Sequence, residues 1–273
     1  MRVFPLVGAL AVVATMAACA SNGSEAHSLL RRDSLVIGVT SSLPGLGIAL
    51  EQGHYEGFDV DVASYIAKEL GFGLDEVSFV SADEDNGERL LRNGEADLVL
   101  AAYSITPKRK TRLDFAGPYY LAHLDLAVRA GDDRIENVRD LEGRRLCSSP
   151  KSLSRERIVR TLGIEVVEVT EPNDFECMAA VRAGSVDAMA ADDLVLAGML
   201  QYDSGGVRLV NAPFTDERWG VALRQGDVAG CEAVNRAISR MYADGSAGKF
   251  LDRWFGASNL RARATVPQFE GCG

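Results

Sequence analysis

Positive charge is in short supply in this chain. Across 273 residues, 29 lysines and arginines stand against 39 aspartates and glutamates, for a formal net charge of -10 at pH 7. Nucleic acid is therefore not its main partner, because phosphate backbones are bound by a positively charged groove or helix. A small anion is still admissible, since one local cationic site can capture a carboxylate. Histidine is scarcer: His27, His54 and His123 are scattered, and no pair of the five cysteines has zinc-ligand spacing, so no metal centre is expected. Long apolar runs are also missing, apart from residues 3–18, and that run falls short of the ~20 residues of a membrane-spanning helix. What remains, 47% hydrophobic and 25% charged residues, is ordinary globular composition. The length admits two domains of usual size or one large one.

Arg2 followed by the uncharged residues 3–18 reads as an export signal. Its end, Met16-Ala17-Ala18-Cys19, resembles the lipobox of bacterial lipoproteins, in which a cysteine after small residues is diacylated and becomes the new N-terminus. The alternative is an ordinary cleavage site with an incidental cysteine. The lipobox reading gives a signal peptide over 1–19, an anchor on Cys19 and a polar tether over 20–32, "ASNGSEAHSLLRR"; two acyl chains suffice for stable anchoring. Cys147, Cys177, Cys231 and Cys272 then remain, an even count in an exported chain, which points to two disulfides. Three pairings are open. Cys147 with Cys177 and Cys231 with Cys272 is favoured, because each bridge then stays within one structural unit; buried free thiols are the alternative.

"SLVIGVT" (34–40) is a short β-branched run feeding the Ser/Pro/Gly-rich "SSLPGLG", a buried strand leading into a loop. "FDVDVASYIAKELG" (58–71) has Val62, Ile66 and Leu70 at helical spacing and stops at Gly71. A strand at 77–80, a helix in "DNGERLLRNGEAD" and a strand at 98–105 follow. Strands alternating with helices predict a largely parallel sheet covered on both faces. The alternation restarts with strands at 144–149 and 165–169 around "SRERIVRTLG". In both halves a helix closing on glycine precedes an aspartate and a buried strand: "LLRNGEADLVLA" (90–101) and "AAVRAGSVDAMAA" (179–191). Asp97 and Asp187 read as structural residues at matching strand starts. Two α/β lobes are expected, with "WGVALR" (219–224) and a long amphipathic helical region behind them.

Lobes of this kind bring ligand sites to the carboxyl ends of their parallel strands. Ser104 and Arg109 follow the third strand of the first half, and Asp192 with Asp193 follows "VDAMAA" in the second. One cleft then holds a guanidinium and a hydroxyl on one wall and a carboxylate on the other, an arrangement suited to a zwitterion. For Asp192 a helix N-cap before "DLVLAGML" is the structural alternative, and the two aspartates can divide these roles.

"YEGFDVDVASYIAKELG", "LLRNGEADLVLAAYSITPKRKTRLDFAGPYY", "LEGRRLCSS", "VDAMAADDLVLAG" and "YADGSAGKFLDRWFG" together resemble family 3 solute-binding proteins, the amino-acid receptors of ABC importers, in order from about 34 to 256. "AAYSIT", "ADDLVLAG" and the cysteines at 147 and 177 are most similar to glutamate-binding lipoproteins of Gram-positive bacteria. The resemblance implies an α/β, periplasmic-binding-protein-like clamshell whose lobes are joined by two crossing hinge strands. Lobe 1 would take 33–120 and 217–256, lobe 2 121–216, and a tail 257–273. It implies that Arg109 holds the ligand's α-carboxylate, with Ser104 and the backbone of Ala102 donating to the same group, and that Asp192 receives the ammonium. Arginine suits the first role because its planar fork matches a carboxylate in two places; Lys108, Lys110 and Arg112 read as a solvated rim. Ser152 and Ser154 would lie near the ligand in the "CSSPKSLS" loop. Two features depart from the family pattern: Leu43 replaces an aromatic residue in the first loop, and Lys151 replaces a glycine, either facing an acidic ligand side chain or pointing outward. Asp83, Glu84 and Asp85 would favour a basic or neutral ligand if they line the cleft.

The implied ligand is a polar or acidic L-amino acid, glutamate first and then aspartate, glutamine and asparagine. The implied partner is an ABC permease or, alternatively, a membrane sensor protein, reached by a lipid-anchored monomer without cofactor. An enzyme is the rival class. Ser148-x-x-Lys151 has the spacing of a penicillin-binding-protein nucleophile motif, but Pro150 breaks the helical turn it needs and its companion motifs are missing. Dehydratases acting on arogenate or prephenate share the implied fold and need an acid or base aimed at the reacting carbon; no histidine lies in the pocket motifs. "GLG" at 45–47 lacks the spacing and helix of a nucleotide loop.

Overall fold

The computed structural model describes residues 28–83, 86–150, 152–203, 205–258, 260 and 266–273. The expectations placed on the signal segment, Cys19, Glu84, Asp85 and Lys151 lie outside the described residues. In chain order the first body contains β1 (Leu35–Val39), the small strands β2 (Ser42–Leu43), β3 (Gly47–Ala49) and β4 (Tyr55–Glu56), α1 (Phe58–Glu69), β5 (Val77–Ser81), α2 (Gly87–Asn93), β6 (Leu98–Leu100), α3 (Pro107–Lys110) and β7 (Leu113–Ala122). The second contains β8 (Leu124–Arg129), β9 (Arg145–Ser148), β10 (Val167–Thr170), α4 (Asp174–Ala183), β11 (Ala188–Asp192), α5 (Asp193–Tyr202) and β12 (Val207–Leu209). The chain then returns to the first through β13 (Glu217–Arg224), α6 (Val228–Ala243) and α7 (Ser246–Phe255).

Each body is built on a five-stranded sheet, ordered β5-β1-β6-β13-β7 and β10-β9-β11-β8-β12. The sheets are mixed, where the strand and helix alternation predicts mainly parallel ones. β1, β5 and β6 run parallel, as do β9, β10 and β11, but β13 is antiparallel to β6 and β7, and β8 to β11 and β12. The antiparallel strands are those that carry the chain between the bodies, so they enter reversed. Where it crosses, Glu217 and Arg218 pair with Ala122 and Leu121, and His123 Nδ1 lies 2.8 Å from the Thr215 carbonyl. Two neighbouring strands thus form the connection.

The repeated helix-then-strand unit has one stereochemistry in both bodies. α2 and α4 each end on a left-handed glycine, Gly94 and Gly184, the C-terminal geometry that glycine adopts without a side-chain penalty. Asp97 then accepts the Val36 N–H at 2.9 Å and pairs with Arg32; Asp187 accepts the Arg145 N–H at 2.9 Å and pairs with the same arginine's guanidinium. Each carboxylate ties the start of its strand to the strand beside it.

Residues 29–31, placed by sequence in a polar tether, form a short 3-10 turn. Leu29 is buried in the core, and its N–H donates to Asp227 Oδ2 at 2.7 Å. Disulfides join Cys147 to Cys177 and Cys231 to Cys272. The bodies also touch directly. A side chain at Gly198 on α5 would meet the Pro44 carbonyl oxygen at 1.9 Å, so that glycine is what lets the first body's loop lie against the helix.

Candidate functional site

A cavity of about 350 Å³ opens between the two bodies, within the usual range for small-molecule sites. Its walls come from the carboxyl ends of the parallel strands. β1 leads to Thr40, β5 to Asp83 and β6 to Ala101, Ala102 and Ser104; β9 leads to Ser149, Pro150 and Ser152, β10 to Asn173, Asp174 and Phe175, and β11 ends at Asp192. Peptide groups at such ends have no further strand to bond, which leaves room for a ligand.

Asp192 is the N-cap residue of α5 by backbone geometry, yet its side chain makes no capping bond. Its Oδ2 instead accepts from Trp219 Nε1 at 2.9 Å, across to the first body. The next residue has a different role: Asp193 accepts the Leu194 N–H and, at 3.2 Å, the Tyr120 hydroxyl. Burial pushes the Asp193 carboxyl up to about 6. The aspartate pair thus divides into one group on the cavity and one behind it.

Ser104 lines the cavity and is almost fully buried, held by a bridge to Trp219. Arg109 follows it on a four-residue helix started by Thr106, whose hydroxyl accepts the Arg109 N–H, and by Pro107. The guanidinium lies 4.2 Å from the centre of the Tyr103 ring, and Nη1 donates to the Ser104 carbonyl at 2.7 Å. Arg109 is therefore half-buried directly behind the wall formed by Ser104, not in the lining. Its basic neighbours are engaged outside the cleft, where sequence reads a solvated rim: Lys110 pairs with Glu270 and Arg112 with Glu88.

Ala102 lines the cavity, but its N–H is taken by Asp59 Oδ2 at 3.0 Å. The resemblance implies a backbone contact from Ala102 to the ligand; here its N–H is engaged by Asp59 inside the first body. Ser152 lines the cavity while Ser154 is fully buried outside the lining, their hydroxyls 2.7 Å apart. Leu43 and Asp83 are both in the wall.

Sequence reasoning does not single out Asn173, Asp174 and Phe175. The strand-end rule that finds Ser104 and Asp192 applies equally to "EVTEPND", where Asn173 caps α4 by accepting the Glu176 N–H at 3.0 Å. Phe175 supplies an aromatic face to the cavity from the second body, with its ring against Tyr202. Burial raises the Asp174 carboxyl above its ordinary range, opposed by a hydrogen bond from Ser149. Asp59 is also missed. It lies on the apolar stripe of α1 with Val62, Ala63 and Ile66, fully buried.

Residues 35–257 match the family described as bacterial extracellular solute-binding proteins, family 3. The chain is 34% identical over 280 residues to the glutamate-binding protein GluB of Corynebacterium glutamicum, covering 97% of this chain and 94% of the relative. It is 30% identical to the ABC transporter glutamine-binding protein GlnH of Bacillus subtilis, covering 91% and 94%. Among solved structures it is similar to an ancestral arginine-binding protein bound to glutamine, with a TM-score of 0.70, 33% identity, and coverage of 82% of this chain and 99% of that one.

Proposed function

The chain belongs to family 3 of the bacterial extracellular solute-binding proteins, and from that premise we propose that it binds a polar or acidic L-amino acid in the cleft and delivers it to an ABC importer. Glutamate is the preferred ligand, followed by aspartate, glutamine and asparagine; Asp83 in the cavity wall is the feature that weighs the other way, toward a neutral or basic side chain. The observation that carries this reading is the opposition of Asp192 and Ser104 across one cavity, with Arg109 behind Ser104. A ligand ammonium meets Asp192, and its α-carboxylate meets the Ser104 hydroxyl, with the Arg109 guanidinium turning in from its bond to the Ser104 carbonyl to complete the pair of contacts. Contacts to both bodies favour the closed arrangement of a hinged pair.

Two features support an acidic or amide side chain. GluB and GlnH carry glutamate- and glutamine-binding names, and Ser149, Ser152 and Asn173 supply polar groups to the second wall that can hydrogen-bond a carboxylate or an amide. In this reading Cys19 carries the lipid anchor that keeps the protein at the membrane surface, as a monomer.

Thermal-shift measurements against the twenty amino acids test this reading. Glutamate at about 100 times its Kd is expected to stabilise the protein by roughly 2.7 kcal/mol; a response to arginine and lysine alone would overturn the preference, and silence across the panel would overturn the receptor reading. Arg109→Lys keeps the charge but loses the fork, and is expected to weaken glutamate binding at least about tenfold with the fold intact. Wild-type affinity in titration calorimetry would remove Arg109 from the site.

A further inference from the structure

β6 ends at Leu100, and two residues later the wall turns through Ala102, whose φ is 49°. Left-handed backbone is unfavourable for alanine, whose Cβ crowds the following carbonyl, so the bend needs support from its surroundings. That support comes from α1. Asp59 Oδ2 accepts the Ala102 N–H at 3.0 Å, and Asp59 Oδ1 accepts the Tyr119 hydroxyl at 2.8 Å. Asp59 and Tyr119 are fully buried. Tyr119 is itself held through its carbonyl, which accepts from Tyr242 at 2.9 Å, and its ring packs against Trp219, the donor to Asp192.

A carboxylate is costly to bury in a helix face otherwise made of valine, alanine and isoleucine, and a hydrophobic residue of similar volume would pack there without that penalty. Both its bonds lead toward the cavity wall. We infer that Asp59 is a positioning residue for ligand binding: it fixes the bend at Ala102 that sets Ser104 in the wall, and through Tyr119 it braces the Trp219 ring that holds Asp192. This inference rests on the cleft being the amino-acid site.

The test compares Asp59→Asn with Asp59→Ala in the full chain by titration calorimetry with L-glutamate and L-glutamine, with melting temperatures measured alongside. Asparagine can still accept the Ala102 N–H, and its amide can donate to the Tyr119 oxygen, which accepts as readily as it donates. Asp59→Asn is expected to bind within about threefold of wild type, and Asp59→Ala at least about tenfold more weakly. A folded Asp59→Ala protein with wild-type affinity overturns the inference, and so does an Asp59→Asn protein as impaired as the alanine variant, since rescue by the amide is what separates positioning from bulk packing. Amide hydrogen exchange at Ala102 in the wild-type protein gives a result even if Asp59→Ala does not fold: protection against exchange is expected, and free exchange refutes the bond. Failure of the wild-type protein to bind either amino acid counts against the ligand reading instead, while Ala102 protection still reports on Asp59.

Discussion

Replacing Cys147 and Cys177 together with alanine is expected to destabilise the protein by roughly 3–4 kcal/mol, the loop-closure value for a bridge of this span. The bridge closes a separation of 30 residues. It joins β9, a strand inside the second sheet, to α4, which packs over it, and both sulfurs are fully buried. The chain leaves β9 into Ser149 and Ser152, and it enters α4 through Asn173, Asp174 and Phe175. One covalent link therefore holds together the two segments that form much of the second wall, and its loss is expected to lower ligand affinity as well as stability. Urea unfolding of the double variant, under conditions that leave Cys231 and Cys272 oxidised, provides the measurement. A change below about 1 kcal/mol would show that helix-on-sheet packing alone maintains this wall. The second bridge closes 41 residues and secures the tail, where Glu270 pairs with Lys110 and Arg218. Its removal is expected to release the tail and leave the cavity intact.

How much of this was legible in the sequence follows from where each signal lies. The repeated helix, glycine and aspartate unit is local, so Gly94, Asp97, Gly184 and Asp187 were visible in the order of residues and behave alike in the structure. The strand-end rule located Ser104 and Asp192 because both positions follow apolar strands directly. Local pattern does not mark β7 and β8: their strand character depends on partners distant in sequence, β13 for one and β11 and β12 for the other. The last helical region is two helices, divided at Gly245 in a left-handed conformation. The bond between Asp192 and Trp219, and the position of Arg109 behind Ser104, are tertiary facts. Composition and spacing contain no trace of them. Asp59 was hidden for a different reason: an acidic residue in the first turn of a helix normally complements the helix dipole, so nothing in "GFDVDVA" sets it apart from Asp61, which bonds to Arg253 and Trp254 near the surface.

Stability is expected to be greatest near pH 4–5 and to fall as pH rises toward 7, a lower optimum than the range of about pH 5–8 usual for proteins. Burial raises Asp59 from an ordinary 3.8 to about 7, outweighing the hydrogen bonds from Tyr119 and Ala102. Asp193 is raised to about 6 by burial, against the opposing effects of Leu194, His123 and Tyr120. For both groups the folded pKa lies above the unfolded one, so between the two values the folded chain retains a proton that the unfolded chain has released. The stabilisation is complete below about pH 4 and is lost as pH climbs through the folded values, at up to about 1.4 kcal/mol per pH unit for each group. Arginine- and lysine-paired carboxylates act in the opposite sense but in a lower window. Asp187 and Glu270 are held below their ordinary range by Arg145 and Lys110 respectively, so their contributions disappear only as pH falls beneath about 4. The two groups of carboxylates leave a maximum between their windows. Melting temperatures at constant ionic strength from pH 4 to 8 check this, and Asp59→Asn isolates the cause. The decline between pH 6 and 7 belongs mainly to Asp59, with a smaller share from Asp193, and is expected to become shallower in that variant. A melting temperature that rises from pH 5 to 7, or a slope unchanged by Asp59→Asn, would mean that Asp59 titrates as an ordinary carboxylate. The cost of its charge would then be met by Tyr119 and Ala102, and the bend in the cavity wall would be held by an ion throughout the physiological range.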